Sequence, residues 1–278
     1  MNFSDFTFII TTYRSEDLID ECLKDLPKHV RKIIVENSGN KDLKEKIEKK
    51  FSNTECFLMT ENLGYGKANN FGIQESKTDY VFIINPDTKV TNEKFEKIIS
   101  ILNNEDFAIA APQIVEKNKT YKQNKESEQI KKVNQVPGMA MILNKRKFNK
   151  KFFDENIFLY LEEIDLCKRT IDQGENIIEI NVELQHLGGQ SHGQYDLEME
   201  NSRNWHWMWS KFYYYRKHHN YMYSFFKTLP NFVSSIIKYL NYMLIGNQNK
   251  SNQYKMRFLG LYNSYMLKKS FYRPYKKN

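Results

Sequence analysis

An α/β fold on an open, largely parallel sheet is predicted, and three observations predict it. Strand-like and helix-like stretches alternate from Phe6 to Ala111. One strand-length run, Tyr80–Ile84, is apolar without interruption, as in a strand buried on both faces. The 278 residues, 40% hydrophobic and 14% aromatic, suffice for one large domain, or one domain plus an appendage, and exclude a disordered chain.

Phe6–Thr12 (FTFIITT) is β-branched and aromatic and reads as the first strand. A helix follows from Ser15 to Leu26, with Ser15 at the N-cap and Asp17 and Leu18 in the opening turn. Lys32–Glu36 is a second strand, Lys41–Phe51 a charged amphipathic helix and Glu55–Met59 a third strand. A loop, Glu61–Gly66, leads to a helix over Lys67–Glu75. After Tyr80–Ile84 come a helix at Asn92–Leu102 and a short strand at Ala108–Ala111. The alternation then breaks. Glu116–Lys132 is polar and lysine-rich and reads as a surface loop or insertion. Gln135–Leu143 resembles a strand whose Pro137-Gly138 favours an edge or a bulge. Leu161–Gln173 is helical and closes on Gly174, and Asn176–Ile180 is the last strand.

Charge is segregated along the chain. It holds 42 basic and 34 acidic side chains, a net +8. From Arg203 to Asn278 there are 14 Lys and Arg and no Asp or Glu, which leaves −6 on the first 202 residues. The chain therefore divides into a body, 1–202, and a basic, aromatic, helical region, 203–278, whose expected neighbour is polyanionic. Trp205, Met208, Trp209, Phe212 and Tyr213 share one helical face and read as a packed helix. Phe232, Val233, Ile236, Ile237, Leu240 and Leu244 repeat the pattern, with Ser234, Lys238 and Asn241 opposite. Lys227, Pro230 and Lys238 interrupt any run near the ~20 apolar residues of a spanning helix, so a helix lying in the membrane interface is expected. No groove-reading or single-strand module is present, and nucleic acid is not an expected partner. Cys22, Cys56 and Cys167 lack disulfide or zinc spacing and read as buried, reduced thiols of a cytoplasmic protein. The N-terminus carries no secretory pattern.

Four segments can carry chemistry. Asn85-Pro86-Asp87 follows the fourth strand, on the side where open α/β sheets bind ligands. A carboxylate there can hold Mg²⁺ or Mn²⁺ together with phosphate oxygens, although Pro and Asp also make a simple turn. Glu162, Glu163 and Asp165 crowd a helix start beside Phe158–Leu161; the macrodipole favours acids there, and partial burial would make one a better base. His186 precedes Leu187-Gly188-Gly189-Gln190-Ser191 and can ligate a metal or contact a phosphate, or be structural. The Glu61–Asn70 segment combines glycines with Lys67 near a helix N-terminus, a fair anion site.

In this order the residues resemble the family 2 inverting glycosyltransferases of GT-A fold, with likeness to the rhamnosyltransferase-like group, from about Phe6 to about His219. The resemblance implies a Rossmann-like nucleotide-binding, mixed but mostly parallel sheet flanked by helices, with the basic helical region as a C-terminal extension. By the same resemblance, Thr11 and Tyr13 lie on the strand end that meets the nucleobase, and Glu36, in Val35-Glu36-Asn37-Ser38, accepts from a uracil or thymine imide. Asn62, Gly64, Tyr65, Gly66, Asn70 and Gly72 match the family's Asn-x-Gly-Tyr-Gly run, with Lys67 beside it. Asn85 and Asp87 match the metal-binding aspartate motif, and His186 the histidine near the diphosphate, counted here with Asp87 as a metal ligand. Glu162-Glu163 matches the acidic pair that supplies the base; Asp165 orients a neighbouring arginine or backbone group, or shares the catalytic role. Glu36 and Glu163 stand where the family has Asp, and Lys151-Phe152 replaces Gly-Gly.

The function so implied is metal-dependent transfer of a sugar, with inversion, from a UDP- or dTDP-sugar such as dTDP-rhamnose. The acceptor is a hydroxyl of a glycan or lipid-linked molecule in surface polysaccharide synthesis. The expected place is the cytoplasm, on an anionic membrane surface at the inner face of the cell membrane; homodimerisation stays open. The alternatives are a non-catalytic sugar-nucleotide binder of the same fold and a sugar-phosphate nucleotidyltransferase, whose glycine-rich, Arg-containing signature after the first strand is absent.

Overall fold

The computed structural model describes residues 1–116, 129–149, 151–186 and 197–274. Most of the polar Glu116–Lys132 stretch, and the glycine segment after His186, lie outside the described residues. The chain forms two compact units, Met1–Asp154 with Glu163–Gly193 and Glu155–Glu162 with Gln194–Asn278. The sequence division at 202/203 falls inside the first helix of the second unit, and Glu155–Glu162 joins that unit as well.

In the first unit, β1 (Phe6–Thr12), β2 (Arg31–Glu36), β3 (Thr54–Leu58) and β4 (Tyr80–Ile84) are parallel neighbours in the order β3-β2-β1-β4. They alternate with α1 (Glu16–Asp25), α2 (Lys41–Lys50) and α3 (Tyr65–Glu75). Then come β5 (Thr88–Lys89), α4 (Asn92–Leu102), β6 (Ile109–Glu116), β7 (Ile130–Lys132), β8 (Ala140–Asn144), α5 (Glu162–Asp172) and β9 (Ile177–His186). The sheet continues from β4 through β8, β6 and β9 to β5, with β7 also on β9. β8 is antiparallel to β4 and β6, while β9 runs parallel to β6.

Successive side chains of the central strands enter opposite layers, as period-2 geometry requires. Phe6, Phe8, Ile10, Phe82, Ile84 and Ile142 join the core on one face. Ile9, Val81, Ile83, Met141 and Leu143 join the core on the other, with Leu166 and Cys167 of α5. Both faces are thus covered, which explains the unbroken apolar run of β4. All three cysteines are buried and free.

Several elements differ from expectation. β8 begins at Ala140, after Pro137-Gly138, and lies inside the sheet, because no proline interrupts its hydrogen-bonded part. β7 occupies part of the stretch expected to be loop and pairs with β9. β9 runs on past Ile180, so His186 ends the last strand instead of following it. A bulge between Pro112 and Gln113 leaves Asn181 and Val182 of β9 without a register partner on β6. Ser15 sits at the N-cap of α1, yet its hydroxyl donates to the Tyr13 carbonyl (3.2 Å) and makes no cap bond.

In the second unit, α6 (Leu197–His218), α7 (Tyr221–Leu244) and α8 (Gln248–Tyr265) pack together. The α6 stripe read from the sequence is buried against α8: Trp205 and Trp209 with Met256, Met208 and Phe212 with Leu261 and Tyr265. The crossing is close, since a Cβ on Gly260 would lie 2.2 Å from the Trp205 carbonyl oxygen. Buried His206 sets Nε2 2.8 Å from the Tyr272 carbonyl oxygen and Nδ1 3.1 Å from the Ser270 hydroxyl, the pattern of a neutral ring. Burial, only partly offset by the Tyr272 carbonyl, pushes its pKa down to about 3. The Glu155–Glu162 segment is held by Ser210, whose hydroxyl donates to the Leu159 carbonyl (2.8 Å), and by the Phe158 ring 4.5 Å from His206. Just before Glu162 it carries two consecutive left-handed residues, Tyr160 and Leu161, both at φ 68°. For side chains of this bulk each costs about 1–3 kcal/mol.

Candidate active site

The carboxyl ends of β1, β2 and β4 gather the polar residues of the parallel half. Thr11 donates to the Asn69 side-chain oxygen (2.9 Å). Thr12 Oγ1 and Asn69 Nδ2 are buried without a hydrogen-bond partner among the described residues. Tyr13 is half-buried, with the Arg14 guanidinium carbon 5.1 Å from its ring centroid. Glu36 is fully buried; Oε1 accepts from the Ser38 backbone N–H (2.9 Å) and hydroxyl, and Oε2 from the Asn40 N–H (2.7 Å). The extra methylene relative to Asp thus reaches donors of its own loop.

The glycine loop is ordered by its asparagines. Asn62 Oδ1 accepts from the Gly64 N–H (3.0 Å), and Gly64, at φ 81°, occupies the N-cap of α3. Asn37 Nδ2 donates to the Gly64 carbonyl (3.4 Å). Lys67 is half-buried in the first turn of α3, where the macrodipole favours anions. Asn70 has a different task. Its amide donates to the Phe153 carbonyl and accepts from the Phe153 N–H, both at 2.9 Å, tying α3 to the segment before α5.

Asp87 and His186 are brought together by strand pairing. The two-residue β5 places Thr88 opposite His186 on β9, and the adjacent Asp87 approaches with Oδ1 3.1 Å from His186 Nε2. Both side chains are buried, and the contact lacks hydrogen-bond alignment; neither carboxylate oxygen nor either ring nitrogen has a hydrogen-bond partner among the described residues. A buried carboxylate so poorly satisfied is costly unless a cation or donor completes it. The pair therefore fits a divalent cation: carboxylate oxygens and imidazole nitrogens are available without hydrogen-bond partners among the described residues, at the carboxyl end of β4. No group of three or more His, Cys, Asp or Glu ligands forms among the described residues, so phosphate oxygens and water would supply the other positions.

A second set of contacts links this corner to α5. The Tyr65 hydroxyl donates to the Gly138 carbonyl oxygen (2.7 Å) and lies 3.0 Å from Asn85 Oδ1. Gly138 in turn packs on Glu163: a Cβ there would be 3.2 Å from Glu163 Cβ and 3.4 Å from Cγ. Burial raises the Glu163 carboxyl above its ordinary value, against an opposing effect of its own backbone N–H and that of Ile164. Asp165 is fully buried and accepts from Arg169 Nε (2.8 Å); the same guanidinium donates to the Lys151 carbonyl (3.3 Å) and to the Phe152 carbonyl. Glu162 is buried at the start of α5. Tyr65 and Gly138 are thus the site contacts that the sequence did not single out as functional; only the tyrosine's place in the glycine run hinted at either.

The sequence model described as Glycosyl transferase family 2 matches residues 7–167, more than half of the chain. The chain belongs to this family. A low-salt glycan biosynthesis hexosyltransferase of Haloferax volcanii is 22% identical over 204 residues, covering 64% of this chain and 65% of that protein. An uncharacterized glycosyltransferase of Rickettsia typhi is 36% identical over 87 residues, 31% of this chain and 27% of its own length. The chain thus spans less than two thirds of these curated relatives. Among solved structures, Staphylococcus aureus TarS 1-349 superposes with a TM-score of 0.56 at 14% identity, covering 96% of this chain and 93% of that one. The mannosyltransferase PcManGT of Pyrobaculum calidifontis, solved with GDP-Man and Mn²⁺, gives 0.55 at 9% identity, covering 95% and 88%. The fold is that of the GT-A glycosyltransferases, with a helical C-terminal extension. Glu36 and Asn70, two of the expected site residues, make structural bonds within the fold.

Proposed function

We propose that this family 2 protein transfers a sugar from a nucleoside-diphosphate donor to an acceptor hydroxyl in one displacement, with inversion. The observation that carries the proposal is the Asp87–His186 pair, buried and unsatisfied at the carboxyl edge of the parallel strands. Asp87 and His186 would hold a Mg²⁺ or Mn²⁺ ion, which when bound supplies Lewis-acid stabilisation to a leaving diphosphate. Lys67, at the N-terminal turn of α3, adds positive potential for the same phosphates. Thr12 and Asn69 offer an unused hydroxyl and amide to a polar ligand at that edge.

Glu163 is the base that takes the acceptor hydroxyl's proton; its burial favours the proton it must accept. Inversion needs no carboxylate nucleophile, which leaves Asp165 to fix Arg169 and, through it, the Lys151–Phe152 backbone. A UDP- or dTDP-sugar is the proposed donor and a glycan or lipid-linked hydroxyl of a surface polysaccharide the acceptor. TarS, of the same fold, has been solved with UDP-GlcNAc, and the haloarchaeal relative is named for glycan biosynthesis.

The test is calorimetric titration of UDP, dTDP and GDP with and without Mn²⁺, on the parent and on Asp87→Ala. Mn²⁺-dependent binding of a pyrimidine nucleotide that vanishes in Asp87→Ala is expected. Equal nucleotide affinity with and without Mn²⁺ in both proteins would refute the assigned metal site. Retention of anomeric configuration in a transferred product would refute the single displacement.

A further inference from the structure

Helix α7 is turned inside out. Its buried side chains are Ser224, Thr228 and Ser235, whose hydroxyls donate back to the carbonyls of Asn220, Ser224 and Asn231. Thr228 also lies 3.0 Å from the Tyr265 hydroxyl of α8. Small residues thus let α7 approach the bundle closely, and none of their polar groups asks for water. The opposite face carries Met222 and Phe226 before Pro230 and Val233, Ile237, Leu240 and Leu244 after it, all 43–80% exposed. A helix at a soluble protein's surface has the reverse arrangement.

Charge decides what covers this stripe. Lys227 and Lys238 are exposed on α7 itself, and all 14 charged residues from Arg203 onward are basic. A second copy of the chain would bring the same uncompensated positive region to the contact, which disfavours a dimer through this face. A surface offering both apolar depth and negative charge is complementary to it. No helix among the described residues is long and apolar enough to cross a membrane. We propose that α7 lies flat in the headgroup region of an anionic bilayer, with Phe226, Val233, Ile237 and Leu240 among the acyl chains and the lysines at the phosphates. Such a helix, about 36 Å long at 1.5 Å per residue, binds through buried apolar area plus attraction to anionic lipid.

Sedimentation of the full chain with phosphatidylcholine vesicles, with and without phosphatidylglycerol, tests this. Partitioning at least tenfold stronger on the anionic vesicles is expected, falling with salt but not to zero, since salt screens charges and leaves the apolar contact. Phe226→Glu with Ile237→Glu should lower it at least tenfold while leaving the far-ultraviolet circular dichroism unchanged, because both side chains already face solvent. A fluorophore sensitive to polarity, attached at Ile237→Cys, should brighten on anionic vesicles; one at Lys255→Cys of α8 should respond less. Undiminished partitioning of the double variant, or equal binding to neutral vesicles, would overturn the proposal. So would a dimer in sedimentation velocity that the same double substitution disperses, if no vesicle binding accompanies it.

Discussion

Replacing Gly138 by alanine tests whether the backbone before β8 positions the base. Gly138 does not have a left-handed φ, so alanine is admissible on conformational grounds, and the effect of the methyl is steric. It would stand 3.2 Å from Glu163 Cβ, 3.4 Å from Cγ and 3.7 Å from Cδ. Carbon atoms pack best at about 3.5–4.0 Å, so Glu163 has to retreat by about 0.3–0.8 Å. If a displacement of ~1 Å costs about a hundredfold in rate, the loss scales to about 4- to 40-fold, or ~0.8–2.2 kcal/mol in the barrier. Steady-state transfer at saturating donor reads this as a fall in kcat with the donor KM nearly unchanged. The decisive comparison is a double-mutant cycle with Glu163→Gln, which removes basicity but keeps shape. Once the base is gone its position is irrelevant, so Gly138→Ala should add little to the Glu163→Gln defect. A Gly138→Ala enzyme within twofold of the parent, or two defects that multiply, would refute the reasoning.

Because burial raises the Glu163 carboxyl above the ordinary glutamate value of 4.5, the base form is lost as pH falls through that higher value; the acidic limb of kcat should lie above pH 4.5, and a limb at or below it would remove Glu163 as base. His206, at about 3, stays neutral when folded while an unfolded chain takes up the proton below about 6.5. The unfolded state then binds more protons, so stability should fall by up to ~1.4 kcal/mol per pH unit from about 6.5 down to 3, a slope visible in urea midpoints and flattened in His206→Gln. Gly260→Ala places a methyl 2.2 Å from the Trp205 carbonyl oxygen, forcing α8 away from α6; a loss of about 1–3 kcal/mol or more in chemical denaturation is expected, and an unchanged midpoint would show that the helices separate freely.

What the sequence revealed follows from range of interaction. The first four strands were legible because Phe6–Thr12 and Tyr80–Ile84 carry their own apolar and β-branched signature, and α1 to α4 carry a helical one. The extension of β9 beyond Ile180 was missed although Ile178, Ile180, Val182 and Leu184 alternate with polar residues, because a run ending in Gln-His resembles a loop. β5 has two residues and no period of its own; only its pairing with β9 creates it. For the same reason the Asp87–His186 contact, nearly a hundred residues apart in the chain, left no local trace and was reached only through the family resemblance. Asn70 shows the complementary limit: its family motif was readable, whereas its bonds to the Phe153 backbone depend on how α3 meets a distant segment. In α7 the apolar repeat was visible and its orientation was not, since which face is buried depends on the Ser and Thr residues fitting against the bundle.

The two residues of β9 that β6 leaves without register partners have a bearing on how this family can vary in length. Asn181 and Val182 add an even number of residues, so Ile180, Leu184 and His186 all remain on the buried side. Parity, more than identity, is what this stretch must keep. A deletion of one residue between Ile180 and Leu184 would turn the imidazole outward and strand Asp87 without its neighbour, although no residue of the site had been altered. Removal of two would restore the facing and shorten only the reach. Among natural relatives, gaps in this segment should therefore come in pairs, or be accompanied by a new arrangement around the aspartate.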